Sequence, residues 1–278
     1  MHGDVWQYDD RVFLAKPHPG QRAAARWIRE DLGSLVLPRS SATRLQDRYS
    51  LRCAPHVIGV LVDVLPLVRQ FVSVELSSVN DNPIIDLETG DVLRSGNFYG
   101  GHVAQASEML KTTVANIADL MDRQLALLCN PVTSNGLPRE LVPTRRDATA
   151  HHGFKAMQIT ASALTAEALK QTMPASVFSR STECHNQDKV SMGTIAARDL
   201  RRILDLSENV LAIHLLALCQ ALDLRGGPTP GTRGAVLHEA VRARVPHVAD
   251  DRPMDVDIDS VCAAAREGLL PFGEADFG

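Results

Sequence analysis

Between Asp188 and Leu224 the chain runs for 37 residues with no proline and a single glycine, Gly193. A helix over the whole stretch would extend roughly 55 Å at 1.5 Å per residue. Apolar residues at Val190, Ile195, Leu200, Ile203, Leu204, Val210, Leu211, Leu215, Leu218 and Leu222 step by three, four or seven for most of its length, so they keep returning to one face. A rod of that length exceeds what one small domain covers. It predicts a bundle shared between subunits, because an uncovered stripe would be an apolar patch that soluble monomers rarely tolerate. The fold class expected is all-α: an elongated helical bundle with long central helices and its polar chemistry in the loops between them.

Other segments share the period. From Pro55 to Val79 the apolar positions are Val57, Val60, Leu61, Val64, Leu65, Val68, Phe71 and Val72, and Pro66 is expected to kink the helix or end its first half. A second run, from Gly101 through Val103, Ala106, Met109, Ile117, Leu120 and Leu125 to Leu128, is stopped by Asn130-Pro131. A third, from about Gly153 to Met173, is rich in alanine, the best helix former. Weaker helical segments lie near Gly234–Arg244 and Val256–Leu269. Alternating strand patterns are nearly absent, although Pro83–Asp86 and Asp91–Leu93 around Glu88-Thr89-Gly90 read as a small hairpin. The chain divides into an N-terminal segment with a short helix (1–45), a helical bundle core (46–224) and a C-terminal helical segment (225–278).

Composition narrows the function classes. Twenty-nine Lys and Arg against 33 Asp and Glu leave a net charge of −4, so no strong field draws nucleic acid or an anionic bilayer. Aromatics at 4% offer few base-stacking platforms. The five cysteines are scattered without a C-x-x-C pair, which indicates neither a disulfide framework nor a zinc site. No uninterrupted run of about 18 apolar residues is present to span a membrane. The start lacks a basic and then apolar leader, so the chain is expected to be cytoplasmic. There is no Gly-rich phosphate loop, no G-x-S-x-G and no H-x-x-x-H. The adjacent His151-His152 would point about 100° apart on a helix and could not jointly bind one metal.

Three loops carry residues that solubility alone does not require. In Gln46-Asp47-Arg48-Tyr49-Ser50-Leu51-Arg52, the amide, phenol and guanidinium are spaced i, i+3 and i+6, which on a helix shares one side. Such a group could hold a carboxylate and exchange a proton beside it. The second loop, Ser77–Pro83, is followed by Ser95-Gly96-Asn97-Phe98-Tyr99-Gly100-Gly101 and suggests a Gly-flanked polar pocket lip. The third, Ser181–Asp188, feeds the longest helix. Asp188 or Asn186 would cap that helix, and its N-terminus would offer partial positive charge to an anion.

At these loops the sequence resembles the aromatic amino acid ammonia-lyases and aminomutases, a family that uses a 4-methylideneimidazol-5-one (MIO) electrophile. The matching pieces are Q-D-R-Y-S-L-R (46–52), S-V-N-D-N-P (78–83), S-G-N-F (95–98), N-G-L-P (135–138), G-F-K (153–155) and H-N-Q-D (185–188). They keep the family's order and spacing over about residues 16–224. The resemblance implies that Arg52 grips the substrate carboxylate and that Tyr49 is a catalytic tyrosine beside the electrophile. It also implies that Gln46, Asn82, Lys155, Glu183 and Asn186 line the substrate pocket, with Glu183 near the substrate ammonium. Gln187 would support that lining, and Phe98 would pack near the cofactor. Asn186-Gln187-Asp188-Lys189 is nearer the phenylalanine and tyrosine enzymes than the histidine enzymes, which carry Gln-Glu-Asp-His there.

One departure matters. Family members build the electrophile from an internal Ala-Ser-Gly, and no Ala-Ser-Gly, Thr-Ser-Gly or Ser-Ser-Gly occurs in these 278 residues. The family's mobile-loop tyrosine, its general base, is also missing. The sequence therefore reads as the C-terminal half of such an enzyme on a separate polypeptide. A partner chain would supply MIO and the loop tyrosine, in a hetero-oligomer built on a tetrameric core. The alternative is a non-catalytic binding or regulatory partner of a full-length homologue.

Overall fold

A computed structural model describes residues 4–33, 45–143 and 147–273, and its regular secondary structure is almost entirely helical. Two short N-terminal helices, α1 (Asp10–Leu14) and α2 (Pro19–Leu32), precede a one-turn helix α3 (Tyr49–Arg52) and the long α4 (Ala54–Ser77). A two-stranded antiparallel ribbon pairs β1 (Ile84–Ile85) with β2 (Val92–Leu93), as the hairpin reading anticipates. Helices α5 (Gly101–Cys129), α6 (Lys155–Lys170) and α7 (Gly193–Leu224) form the bundle, and α8 (Arg233–Arg242) and α9 (Asp255–Arg266) follow. Residues 34–44 of the expected N-terminal segment lie outside the described residues.

The direction of each helix follows from contacts at its ends. The first turns of α5 and α7 meet where a Cβ on Gly193 would lie 3.4 Å from the Gly100 carbonyl. At the far end Arg225 Nη2 donates to the Ser134 carbonyl at 2.5 Å. Helices α5 and α7 are therefore parallel. Helix α4 runs against them, since Phe71 near its end stacks edge-on against His102 at 5.0 Å. Helix α6 does likewise: Phe154, just before it, sits in the core with Leu125 and Leu128, and Met173, just after it, accepts a hydrogen bond from Lys111 Nζ at 2.7 Å.

Three sequence expectations are corrected here. Pro66 does not end α4: it lies on the exposed side, and the packing of the flanking turns on α2 and α5 carries the helix through. The long helix begins at Gly193, not Asp188, and Met192 at φ 58° precedes it with no side-chain cap. Residues 182–187 are held instead in their own turn by the Thr182–Gln187 bridge, so neither Asn186 nor Asp188 caps α7. Thirdly, the stripe on α7 is covered in part by this chain itself. Ile203, Val210 and Leu215 are buried in clusters shared with α5, α6 and α9, while Ile195 and Leu204 remain exposed.

Helix α4 carries more uncovered apolar surface: Val60, Leu67 and Val74 share one side, and Val72 and Leu76 are exposed on the other. Length and composition qualify both the segment 49–77 and α7 to cross a membrane, contrary to the reading from unbroken apolar runs. Helix α7 is a buried core helix. Helix α4 packs on α2 by a close backbone approach at Gly20 and Gly59, and its Asp63 accepts the Gly20 N–H at 2.7 Å.

Candidate active site

The first loop is built around an acid. The Asp47 carboxylate accepts from the Asp4 N–H at 2.8 Å and from Gln7 Nε2 at 3.0 Å. Its carbonyl accepts from Arg52 Nε at 2.9 Å. Tyr8 donates its hydroxyl to the Leu51 carbonyl at 2.9 Å, and Gln124 Nε2 on α5 donates to the Ser50 carbonyl at 2.7 Å. Burial, with Asp47 and Cys53 nearby, pushes the Tyr8 phenol up to about 12. The one-turn helix α3 is thus pinned from two sides, and it presents Tyr49 outward, 69% exposed.

Arg52 lies one turn after Tyr49, and its guanidinium carbon sits 4.2 Å from the Tyr49 ring centroid. With Nε committed to Asp47, the fork's two terminal nitrogens make no hydrogen bond among the described residues. A planar fork held this way suits a bidentate carboxylate. Gln46 is not on the same helical face. It precedes Arg48, the N-cap of α3, because the helix is one turn long rather than two.

Asn82 and Phe98 lie at the opposite end of the bundle. The Asn82 side-chain oxygen accepts the Ser95 N–H at 3.0 Å, and Asn97 Nδ2 donates to the Val79 carbonyl at 2.5 Å, so residues 79–97 fold as one unit. Phe98 stands 65% exposed beside the start of α5. Glu183, Asn186 and Gln187 occur in the neighbouring turn. Glu183, Cys184 and His185 there have φ of 52°, 51° and 67°, three successive left-handed residues, a conformation uncommon outside glycine. His185 Nδ1 lies 2.8 Å from Ser181 Oγ.

That turn rests on a buried ion cluster. Lys111 Nζ, fully buried on α5, lies 2.9 Å from Glu108 and 3.4 Å from Asp199 of α7, and donates to the Met173 carbonyl. Glu108 Oε1 accepts the Ala175 N–H at 2.7 Å. The charges compensate each other inside the protein and tie the chain leading into residues 179–187 to both central helices.

Lys155 sits at the end of the bundle that holds Tyr49. It is exposed at the first position of α6, directly after the buried Phe154. The nine residues singled out from the sequence thus fall into two groups: Gln46, Tyr49, Arg52 and Lys155 at one end, and Asn82, Phe98, Glu183, Asn186 and Gln187 at the other. From Gly101 to Gln124 along α5 the ends are separated by about 35 Å. One chain does not bring them together. Sequence reading passed over Tyr8, Gln124 and Lys111, which reach partners more than 40 residues away. It also passed over Asp47, which stands inside a motif it had marked.

The sequence profile of the aromatic amino acid lyase family matches residues 1–244. Histidine ammonia-lyase of Gloeobacter violaceus is 40% identical over 258 residues, which cover 92% of this chain and 49% of that protein. In three dimensions the histidine ammonia-lyase of Trypanosoma cruzi superposes with a TM-score of 0.85 at 31% identity, over 97% of this chain and 50% of that one. Phenylalanine aminomutase of Pantoea agglomerans superposes at 0.86 with 32% identity, over 97% and 55%. Tyrosine aminomutase of Streptomyces globisporus superposes at 0.85 with 32% identity, over 96% and 54%. The chain spans about half the length of the relatives it matches. It belongs to the aromatic amino acid lyase family.

Proposed function

We propose that this chain is one subunit of a split, MIO-dependent aromatic amino acid ammonia-lyase or 2,3-aminomutase acting on L-tyrosine or L-phenylalanine. Ammonia is eliminated to give an arylacrylate, and readdition at the β-carbon would make the reaction a mutase. The observation that carries the reading is the division of the nine site residues between two ends of one bundle. Each end is half of a site that other chains complete. A second polypeptide supplies the Ala-Ser-Gly and the loop tyrosine. The exposed apolar face of α4 gives the hetero-oligomer a surface to pack on.

Residues of this chain fit the electrophile as neighbours. Phe98 offers an exposed aromatic face, and the amides of Asn82, Asn186 and Gln187 lie in exposed loops at the same end. When present, the MIO group supplies an electron-poor carbon that makes the substrate nitrogen a leaving group. Arg52 binds the carboxylate through its two terminal nitrogens and fixes the substrate's orientation. The Tyr49 hydroxyl, alongside, holds or moves a proton at the reacting carbons. Glu183 faces the ammonium, and Lys155 and Gln46 contribute polar lining.

The aryl assignment rests on Asn186-Gln187-Asp188-Lys189, where the resemblance favours the phenylalanine and tyrosine enzymes. Co-expression with a polypeptide carrying Ala-Ser-Gly and the loop tyrosine tests the proposal. Absorbance of cinnamate or coumarate should rise with the pair and stay flat with either chain alone. Turnover of histidine in place of both aryl substrates would overturn the substrate assignment. Turnover by this chain alone would overturn the split.

A further inference from the structure

The C-terminal segment reaches back to the turn that presents Lys155. Asp251 Oδ2 accepts the His152 N–H at 2.7 Å, and its Oδ1 accepts the Gly153 N–H at 2.9 Å. One carboxylate therefore grips two successive backbone amides about 100 residues away. Gly153 itself has φ +54°, and a Cβ there would lie 2.5 Å from the Glu140 carbonyl. The next residue, Phe154, is 1% exposed and donates its N–H to that same carbonyl at 2.8 Å.

The grip has a foundation in the core. Gln220 of α7, fully buried, donates Nε2 to the Val248 carbonyl at 2.9 Å and accepts the Val248 N–H at 3.1 Å. Val245 and Val248 are buried against the same helix cluster. Segment 245–251 is therefore fixed on α7, and Asp251 extends from it to the turn before α6. Lys155 is the first residue beyond that turn whose side chain leaves the core.

We infer that Asp251 is a positioning residue. Its carboxylate holds the His152-Gly153 turn so that Phe154 stays seated and Lys155 projects from a fixed point at the substrate end of the bundle. The inference rests on the proposed role of Lys155 as pocket lining. It gives residues 245–251 a part in the site, although Asp251 itself meets no substrate.

Two measurements test it. Amide hydrogen exchange on the full chain, without any partner, reads the grip directly: Asp251→Ala should speed exchange at His152 and Gly153, while the core amides of α7 stay protected. Unchanged exchange at both amides overturns the inference whatever the enzyme does. In the assembled complex, Asp251→Ala should raise KM roughly tenfold through misplacement of Lys155, with a smaller change in kcat. Asp251→Asn, which keeps one strong acceptor oxygen, should fall between and serves if the alanine variant folds poorly. The effect should vanish in a Lys155→Gln background, because the residue being positioned is gone. An equal effect in that background overturns positioning and leaves the Lys155 reading standing. A Lys155→Gln variant with unchanged kinetics overturns that reading, and the positioning role with it.

Discussion

Arg52 lies over the ring of Tyr49, its guanidinium carbon 4.2 Å from the ring centroid, while its Nε is held by the Asp47 carbonyl. The contact fixes a charged fork and a phenol in one rigid pair. Lysine is a point charge and cannot reproduce the fork. Arg52→Lys should raise KM more than it lowers kcat, since the carboxylate is held in ground and transition states alike, with a loss of about 1–3 kcal/mol. Tyr49→Phe keeps the stacked ring and removes the hydroxyl, so KM should stay near normal while kcat falls sharply. If both residues only brace a helix start, the variants will lose thermal stability and leave the kinetics of the folded enzyme unchanged.

The Lys111 cluster predicts a stability effect far from that pair. Removing the ammonium leaves Glu108 buried beside nothing that neutralises it, and breaking such a buried pair costs about 3–5 kcal/mol. Lys111→Met should lower the melting temperature by many degrees. The double change Lys111→Met with Glu108→Gln should recover part of the loss, because the stranded charge is gone. Circular-dichroism melts of the wild type and both variants check the order.

Tyr8 should report on alkaline stability. Its folded pKa of about 12 lies above the ordinary value of 10.0, so the unfolded chain releases this proton first as pH rises. The contribution is complete below pH 10 and is lost progressively between pH 10 and about 12. Tyr8→Phe removes that dependence and the hydrogen bond to Leu51, costing about 1 kcal/mol at neutral pH. Urea unfolding at pH 8 and at pH 11 should show the wild-type advantage shrinking.

Helix periodicity made the bundle legible, because residues such as Ile203, Val210 and Leu215 follow one local rule. The small hairpin was legible from its turn chemistry at Thr89-Gly90 for the same reason. The start of α7 was not, since the left-handed Met192 and the Thr182–Gln187 bridge depend on how that loop closes. The partial coverage of the α7 stripe was not legible either, because burial is decided by α5, α6 and α9, which the stripe alone does not show. At the site, the chemical types were readable from the motifs. Their separation was not: spacing in sequence does not reveal that Tyr49 and Glu183 sit at opposite ends of α5. Nor does it reveal that Asp47 and Asp251 hold their neighbours through backbone amides and carbonyls.

The central claim is that the two ends act together only across chains, and mixing variants tests it most directly. Tyr49→Phe and Glu183→Gln are each assembled with the Ala-Ser-Gly partner, and each assembly should be strongly impaired. Assembled together in equal amounts, they should recover activity well above either alone, up to roughly a quarter of wild type if copies combine at random in a symmetric oligomer. Some sites then take an intact Tyr49 from one chain and an intact Glu183 from another. Mixed assemblies no more active than the average of the two variants would show that one chain supplies both residues to each site, and would contradict the account.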